Sequence, residues 1–164
     1  MRRRRVEPGP GQESVGDDPR PPRLEMTGRR LRIVLGGVEI LDTTRAARVL
    51  ETSHPPAFYV PPEEFAPGAL RPAEGSSLCE WKGRAAYVDV IGGDRVAARA
   101  GWYYPDPTPG FQAIAGWVSV YAGPMDECRV DEDVVTPQEG DFYGGWITPE
   151  VVGPFKGGAG TWGW

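Results

Sequence analysis

From Arg30 onward the chain runs in short apolar stretches separated by glycine and proline. Leu31, Ile33 and Leu35 alternate with Arg32 and Val34, which predicts a strand. Gly36-Gly37 follows, then Val38-Glu39-Ile40-Leu41. Two apolar runs across a Gly-Gly pair predict a hairpin, because both turn residues accept positive φ without a Cβ clash. Asp42-Thr43-Thr44 offers a helix cap, and Arg45 to Glu51 places Ala46, Val49 and Leu50 on one side. That pattern predicts the one short α-helix, over about Thr44–Glu51. Ala57 to Val60 reads as a strand closed by Pro61-Pro62, and Pro62-Glu63-Glu64-Phe65 suits a single helical turn.

Leu78 to Ile91 is the strongest extended segment, and Gly83 within it predicts a bulge. Its partner is Arg95 to Tyr104. With Gly92-Gly93-Asp94 as a three-residue loop, Val90 faces Val96 and Val88 faces Ala98. Trp117 to Tyr121 is a further strand, and Cys128-Arg129-Val130 pairs with Val134-Val135 across Asp131-Glu132-Asp133. Residues 1–28 carry no hydrophobic period and read as an Arg/Pro-rich N-terminal arm. Residues 29–164 read as a single β-rich domain, whose Gly/aromatic C-terminal tail is ordered by pinning its aromatics against the sheet. The fold class expected is mainly β: a compact antiparallel β-sandwich or barrel-like domain with one short α-helix.

Composition sharpens this picture. Of 164 residues, 23 are Gly and 18 are Pro, which argues against a helix bundle or coiled coil. The net charge of −5 is unevenly placed. Residues 1–32 hold nine Arg against five acids, so the remainder carries −9. An acidic body argues against a nucleic-acid groove, and no specific nucleic-acid partner is expected; Arg2–Arg5 reads as a solvated terminus. The longest apolar stretch, Ala113 to Gly123, is about half the length of a membrane-spanning helix. The basic start lacks the apolar run of a signal peptide. A cytoplasmic protein without a membrane partner is the expectation, and Cys79 and Cys128 fit a reducing compartment as free thiols.

Several chemistries lack their parts. There is one histidine, His54, and no Cys pair at zinc spacing, so neither a metal nor a cofactor is expected. The glycine-rich run from Gly153 to Thr161 places Lys156 before its glycines, which fails the nucleotide P-loop template. No Gly-x-Ser-x-Gly elbow is present. What remains is Cys79-Glu80-Trp81-Lys82-Gly83. On a strand, Cys79 and Trp81 share one face while Glu80 and Lys82 share the other. A strand lysine beside aromatics takes a lowered pKa and serves as a base or amine nucleophile, and Cys79 becomes a thiolate where it meets a positive charge. The structural alternative makes Cys79 a small buried hydrophobe and Glu80–Lys82 a surface pair. His54, fixed by Pro55-Pro56, is the candidate acid–base group near neutrality. The candidate catalytic set is therefore Lys82, Glu80, Cys79 and His54. Tyr59, Trp81, Trp102 and Tyr104 are candidates to line a pocket, with Arg45 or Arg99 as an anion anchor.

The motifs resemble a known family in combination. Leu35-Gly36-Gly37 with Asp42-Thr43-Thr44-Arg45, Val49 through Pro56, Cys79 through Gly83, Trp102 with Tyr104-Pro105 and Pro107, and the ending from Gly140 through Trp164 are similar to the uncharacterised bacterial domain-of-unknown-function family 427. The resemblance covers roughly residues 6–164. It implies a compact, mainly β domain with a short helix and brings no established reaction. A nucleotidyltransferase-like label is sometimes attached to the family, but such chemistry needs a carboxylate set for Mg²⁺, and none stands here at convincing spacing. Members usually read Glu-Ser-Val-Trp-Asp-Tyr-Pro-Arg-Pro-Pro near the N-terminus. Here Gly16-Asp17-Asp18 replaces the stretch with both aromatics, so the arm is expected to dock less firmly or leave a groove open.

Two functions follow. One is a small-molecule-binding protein or enzyme, with a pocket between sheet and helix lined by aromatics plus Lys82 and Glu80. The alternative is a non-catalytic interaction module that binds an unknown protein partner. Convergent polar groups in a deep concavity favour the first, and a flat exposed aromatic patch the second.

Overall fold

Local alternation becomes sheet wherever two runs find each other. The computed structural model describes residues 6–10, 12–15, 22–51, 54–79, 82–138, 144–153 and 155. Its first strands are β1 (Glu13–Ser14), β2 (Arg23–Thr27), β3 (Leu31–Leu35), β4 (Val38–Thr43), β5 (Ala46–Leu50) and β6 (Ala57–Tyr59). Then follow β7 (Leu70–Cys79), β8 (Gly83–Gly92), β9 (Arg95–Tyr103), β10 (Val118–Val120), β11 (Glu127–Val130) and β12 (Asp133–Val134). The short β13 (Thr136–Pro137), β14 (Trp146–Ile147) and β15 (Val151–Val152) complete the order.

Three larger sheets, β10-β9-β8-β7, β12-β11-β3-β4 and β2-β5-β6, hold most of these strands, and β1-β15 and β13-β14 form two-stranded pairs. Val60 and Val118 exchange both backbone hydrogen bonds, at 2.9 and 2.8 Å, which continues the β2-β5-β6 sheet into the β10-β9-β8-β7 sheet. The domain is mainly β, these three larger sheets are antiparallel, and no barrel closes among the described residues. Both expected hairpins form: Leu35 pairs with Val38 across Gly36-Gly37, whereas Val130 pairs with Asp133, so the second turn is Asp131-Glu132 and Asp133 belongs to the strand instead of the expected three-residue turn. The Gly36 turn also packs against the β8–β9 turn. A Cβ on Gly36 would lie 2.1 Å from the Gly92 carbonyl oxygen, so this approach requires glycine.

Three local expectations are corrected. The helix over Thr44–Glu51 is instead strand β5, paired with β2 on one side and β6 on the other. The Thr43 hydroxyl donates to Glu64 Oε1 at 2.6 Å and accepts from the Arg45 amide at 3.0 Å, so the cap-like bond closes a turn between strands. Four of the five β5 residues are buried, and burial on both faces overrides the helix propensity of Ala, Arg and Leu. Helical conformation lies elsewhere, in the 3-10 segments Pro62–Glu64 and Pro109–Ile114. Next, Cys79 pairs with Gly83, so the chain reverses between them and Gly83, at φ +104, opens β8 instead of bulging a continuous strand. Lastly, Gly92 pairs with Arg95, which shortens the β8–β9 turn to two residues. A bulge between Val88 and Val90 then shifts the register and sets Trp102 opposite Tyr87. Arg99, at φ +53, sits in that bulge and donates its amide to Asp89 Oδ1 at 2.9 Å.

Part of the segment read as an arm lies in sheet. β2 pairs with β5 along its whole length, and β1 runs parallel to β15, with Val15 fully buried beside it. The Gly16-Asp17-Asp18 departure lies outside the described residues. Arg48 on β5 ties these pieces together: it donates to Glu13 Oε1 at 2.7 Å and also to Glu25. Its side chain is only 19 % exposed. Arg48→Met is expected to leave two carboxylates without their cation, costing about 2 kcal/mol and lowering the urea midpoint at unchanged slope.

Two apolar clusters fill the structure. The larger lies between the β12-β11-β3-β4 sheet and one face of the continued sheet, and includes Leu31, Ile33, Phe58, Val60, Val90 and Trp146. The smaller lies on the opposite face and includes Ala47, Val49, Tyr59, Ala85, Trp102 and Tyr104. Alternation along β6 delivers Phe58 to one cluster and Tyr59 to the other. Among the described residues, no helix is long and apolar enough to cross a membrane.

Candidate functional site

The smaller cluster is incompletely covered, and a pocket of about 410 Å³ opens beside it. β5 and β6 supply Val49, Ala57 and Tyr59 to its wall. β7 supplies Ser77, Leu78 and Cys79; β8 supplies Ala85 and Tyr87; β9 and its exit supply Trp102 and Tyr104. Glu51, His54 and Pro55 close one side, and Gln138, Gly144 and Gly145 close another. Strands distant in sequence meet here because the Val60–Val118 link joins two sheets into one surface.

The aromatic wall is tightly tied. The Trp102 indole N–H donates to the Tyr59 hydroxyl at 3.2 Å, and the two rings stand edge to face at 87°. Tyr121 packs against Trp102 at a centroid distance of 4.7 Å. The Tyr59 and Tyr104 rings lie 6.2 Å apart between centroids, tilted at 42°. Burial, first among the causes, pushes both phenols up, and pushes Tyr121 to about 12. Tyr87 donates to Ser77 Oγ at 2.9 Å, and the Arg99 guanidinium lies 4.5 Å over its ring.

The polar groups form a row. Cys79 lines the pocket together with Tyr104 and Lys82. Lys82 Nζ stands 4.0 Å from Glu51 Oε2, and His54 Nε2 stands 4.0 Å from the same oxygen. Gln138 Nε2 lies 3.1 Å from His54 Nδ1, while Gln138 Oε1 accepts the Gly145 amide. An amide nitrogen only donates, so His54 Nδ1 is the acceptor and a neutral ring carries its proton on Nε2, toward Glu51.

Lys82 is only 8 % exposed. Burial acts against its charge, but Tyr59, Glu51 and Cys79 outweigh it and hold the ammonium above the ordinary lysine range. The expectation of a lowered pKa is therefore corrected: the surroundings of Lys82 favour its ammonium form. The reason is electrostatic, since the neighbours that matter are polar edges and a carboxylate as well as apolar rings.

Of the residues singled out from sequence, the pocket gathers Lys82, Cys79, His54, Tyr59, Trp102 and Tyr104. Glu80 and Trp81 lie outside the described residues. Because Lys82 sits in the turn between β7 and β8, the alternation that gave it a face in common with Glu80 does not operate. Arg45 stands outside the pocket lining, 5.6 Å from the Trp117 ring and paired with Glu63 at 3.0 Å. Arg99 braces the Tyr87 ring and does not line the pocket. Sequence reasoning missed Glu51, which it placed at a helix end; its signal was position, three residues before His54. Gln138 and the Gly144-Gly145 pair carried no local signal.

Fold and site together define a mainly β domain whose continued sheet carries an aromatic-walled pocket with a buried ammonium beside a half-buried carboxylate. The chain belongs to the family described as Domain of unknown function (DUF427), whose model, labelled NTP_transf_9, matches residues 23–131. The matched span holds the pocket wall from Val49 to Tyr121, while Gln138, Gly144 and Gly145 lie beyond it. No curated protein matches the chain.

Proposed function

We propose that this protein binds a small molecule in the pocket beside Lys82, with the aromatic wall supplying contact area and the ammonium–carboxylate pair supplying orientation. The observation that carries this reading is the convergence of Lys82, Glu51, His54, Cys79 and Gln138 on one concave space between aromatic rings. Pockets of this size with few polar groups on apolar walls are the usual form of small-molecule sites. The interaction-module reading has less support. Among the described residues the large exposed hydrophobics are Val6, Met26, Val38, Leu78, Val96 and Val134, scattered and none of them aromatic.

The test is a thermal-shift screen of a metabolite library against the wild type and Lys82→Met. A ligand present at a hundred times its Kd stabilises the fold by about 2.7 kcal/mol. A Tm rise that Lys82→Met abolishes is expected. Met conserves much of the lysine volume, and Glu51 retains some hydration, so the variant's own Tm should fall by only a few degrees. A screen without hits would count against the binding reading itself, and hits that shift both proteins equally would show that Lys82 does not contact the ligand.

A further inference from the structure

Resting on that reading of the pocket, we infer that its ligand is a neutral polyhydroxylated ring of the sugar or cyclitol class, held by a hydroxyl that bridges Lys82 and Glu51. The separation of 4.0 Å between Lys82 Nζ and Glu51 Oε2 is too long for a hydrogen bond. It is the right span for one intervening oxygen, which can sit about 2.8 Å from each. The group in that gap must accept from an ammonium and donate to a carboxylate. A hydroxyl does both. A ligand carboxylate has no proton for Glu51 and would face its charge, and a ligand ammonium has no lone pair for Lys82. Lys82 has three N–H groups, so a bridging oxygen takes only one of them.

Charge balance points the same way. One cation and one anion at the same place give an ionic ligand as much repulsion as attraction, with its desolvation uncompensated. The rest of the wall suits a ring bearing several hydroxyls. His54 Nε2 stands at the same 4.0 Å from Glu51 Oε2 and extends the polar row beyond the bridging position. Trp102, Tyr121 and Tyr87 also line the pocket, and offer aromatic surface to the C–H groups of a saturated ring.

Saturation-transfer NMR and calorimetry with D-glucose, D-galactose, D-mannose and myo-inositol test the inference, with benzoate and benzylammonium as the charged aromatic counterparts. At least one neutral polyol should receive saturation and bind more tightly than either charged probe. Glu51→Gln and Lys82→Met should each weaken it at least about tenfold, the loss expected for a charge-assisted hydrogen bond. Glu51→Asp keeps the charge but widens the gap, and should weaken binding as well, which guards against a folding failure in Glu51→Gln. Binding of benzoate or benzylammonium that depends on Lys82 or Glu51, with no polyol bound, would overturn the inference and leave the pocket reading intact. Polyol binding indifferent to both substitutions would overturn it too. Binding of none of the six probes, together with a library screen without hits, would sink both.

Discussion

Taken from pH 9 to pH 12, the protein is expected to unfold in one cooperative step that begins near pH 10. Tyr59 and Tyr104 are buried, and their hydroxyls are held above the ordinary tyrosine range by burial first, with Cys79 adding to it in both. Burial also pushes the Cys128 thiol up to about 12, with Glu127 adding to it. An acid whose pKa is higher folded than unfolded keeps its full stability contribution below the unfolded value. Above that value the unfolded chain loses the proton and the folded chain does not, so stability falls until the folded pKa is reached. Lys82, held above its ordinary range, acts with the same sign, because the folded state binds its proton more tightly. Cys128 alone, moved from about 9 to about 12, contributes a loss on the order of 4 kcal/mol by pH 12. That is a large share of a typical domain's stability of about 5–15 kcal/mol. Circular dichroism and tyrosinate absorbance at 295 nm, followed together, check this. A large part of the tyrosinate signal should appear with the loss of β structure. Ionisation of all six tyrosines along a single curve centred on the ordinary value of 10.0, with the fold intact throughout, would refute it.

What was legible in the sequence follows from the range of the interactions. The Gly36-Gly37 and Asp131-Glu132 hairpins are written in a few adjacent residues, and both form. β5 is different. Ala46, Ala47 and Arg48 favour helix by themselves, and only β2, β6 and the contact of Arg48 with Glu13, 35 residues away, make this stretch a strand. At Gly83 the expectation of an irregular backbone was sound, but periodicity could not tell a bulge from a reversal. That difference moves Lys82 off a strand face and onto a turn.

The site was partly legible for the same reason. Rare residues stand out, so one histidine and two lysines led to His54 and Lys82. Aromatics in a small β domain had to be core or wall, and Tyr59, Trp102 and Tyr104 are both. The partner of His54 lies 84 residues away at Gln138, and nothing local distinguishes that glutamine. The charge state of Lys82 depends on Glu51 and Tyr59, which share no pattern with it. Reading its aromatic neighbours as merely apolar reverses the direction of its pKa.

Gly144→Ala is expected to be among the most damaging single-methyl additions available in the described structure. Gly144 lies directly on the indole of Trp102: a Cβ there would stand 2.1 Å from Cη2 and 2.7 Å from Cζ3. The rigid ring has little room to yield, because Tyr121 packs on it at 4.7 Å and its N–H is bound to Tyr59. Either the indole leaves its rotamer and breaks that hydrogen bond, or the segment carrying Gly144 and Gly145 lifts from the pocket. Overpacking of this kind costs about 3 kcal/mol, which lowers the Tm of a chain of this length by roughly 6–12 °C. Gly110→Ala is the control, since a Cβ at Gly110 meets nothing within 4 Å. The two outcomes for Gly144→Ala differ in the pocket. A displaced indole changes the tryptophan emission, whereas a lifted segment separates Gln138 from His54 and shifts the His54 ring resonances in NMR. A Tm within 2 °C of the wild type, with emission and His54 resonances unchanged, would show that the C-terminal segment does not press on the pocket at Trp102.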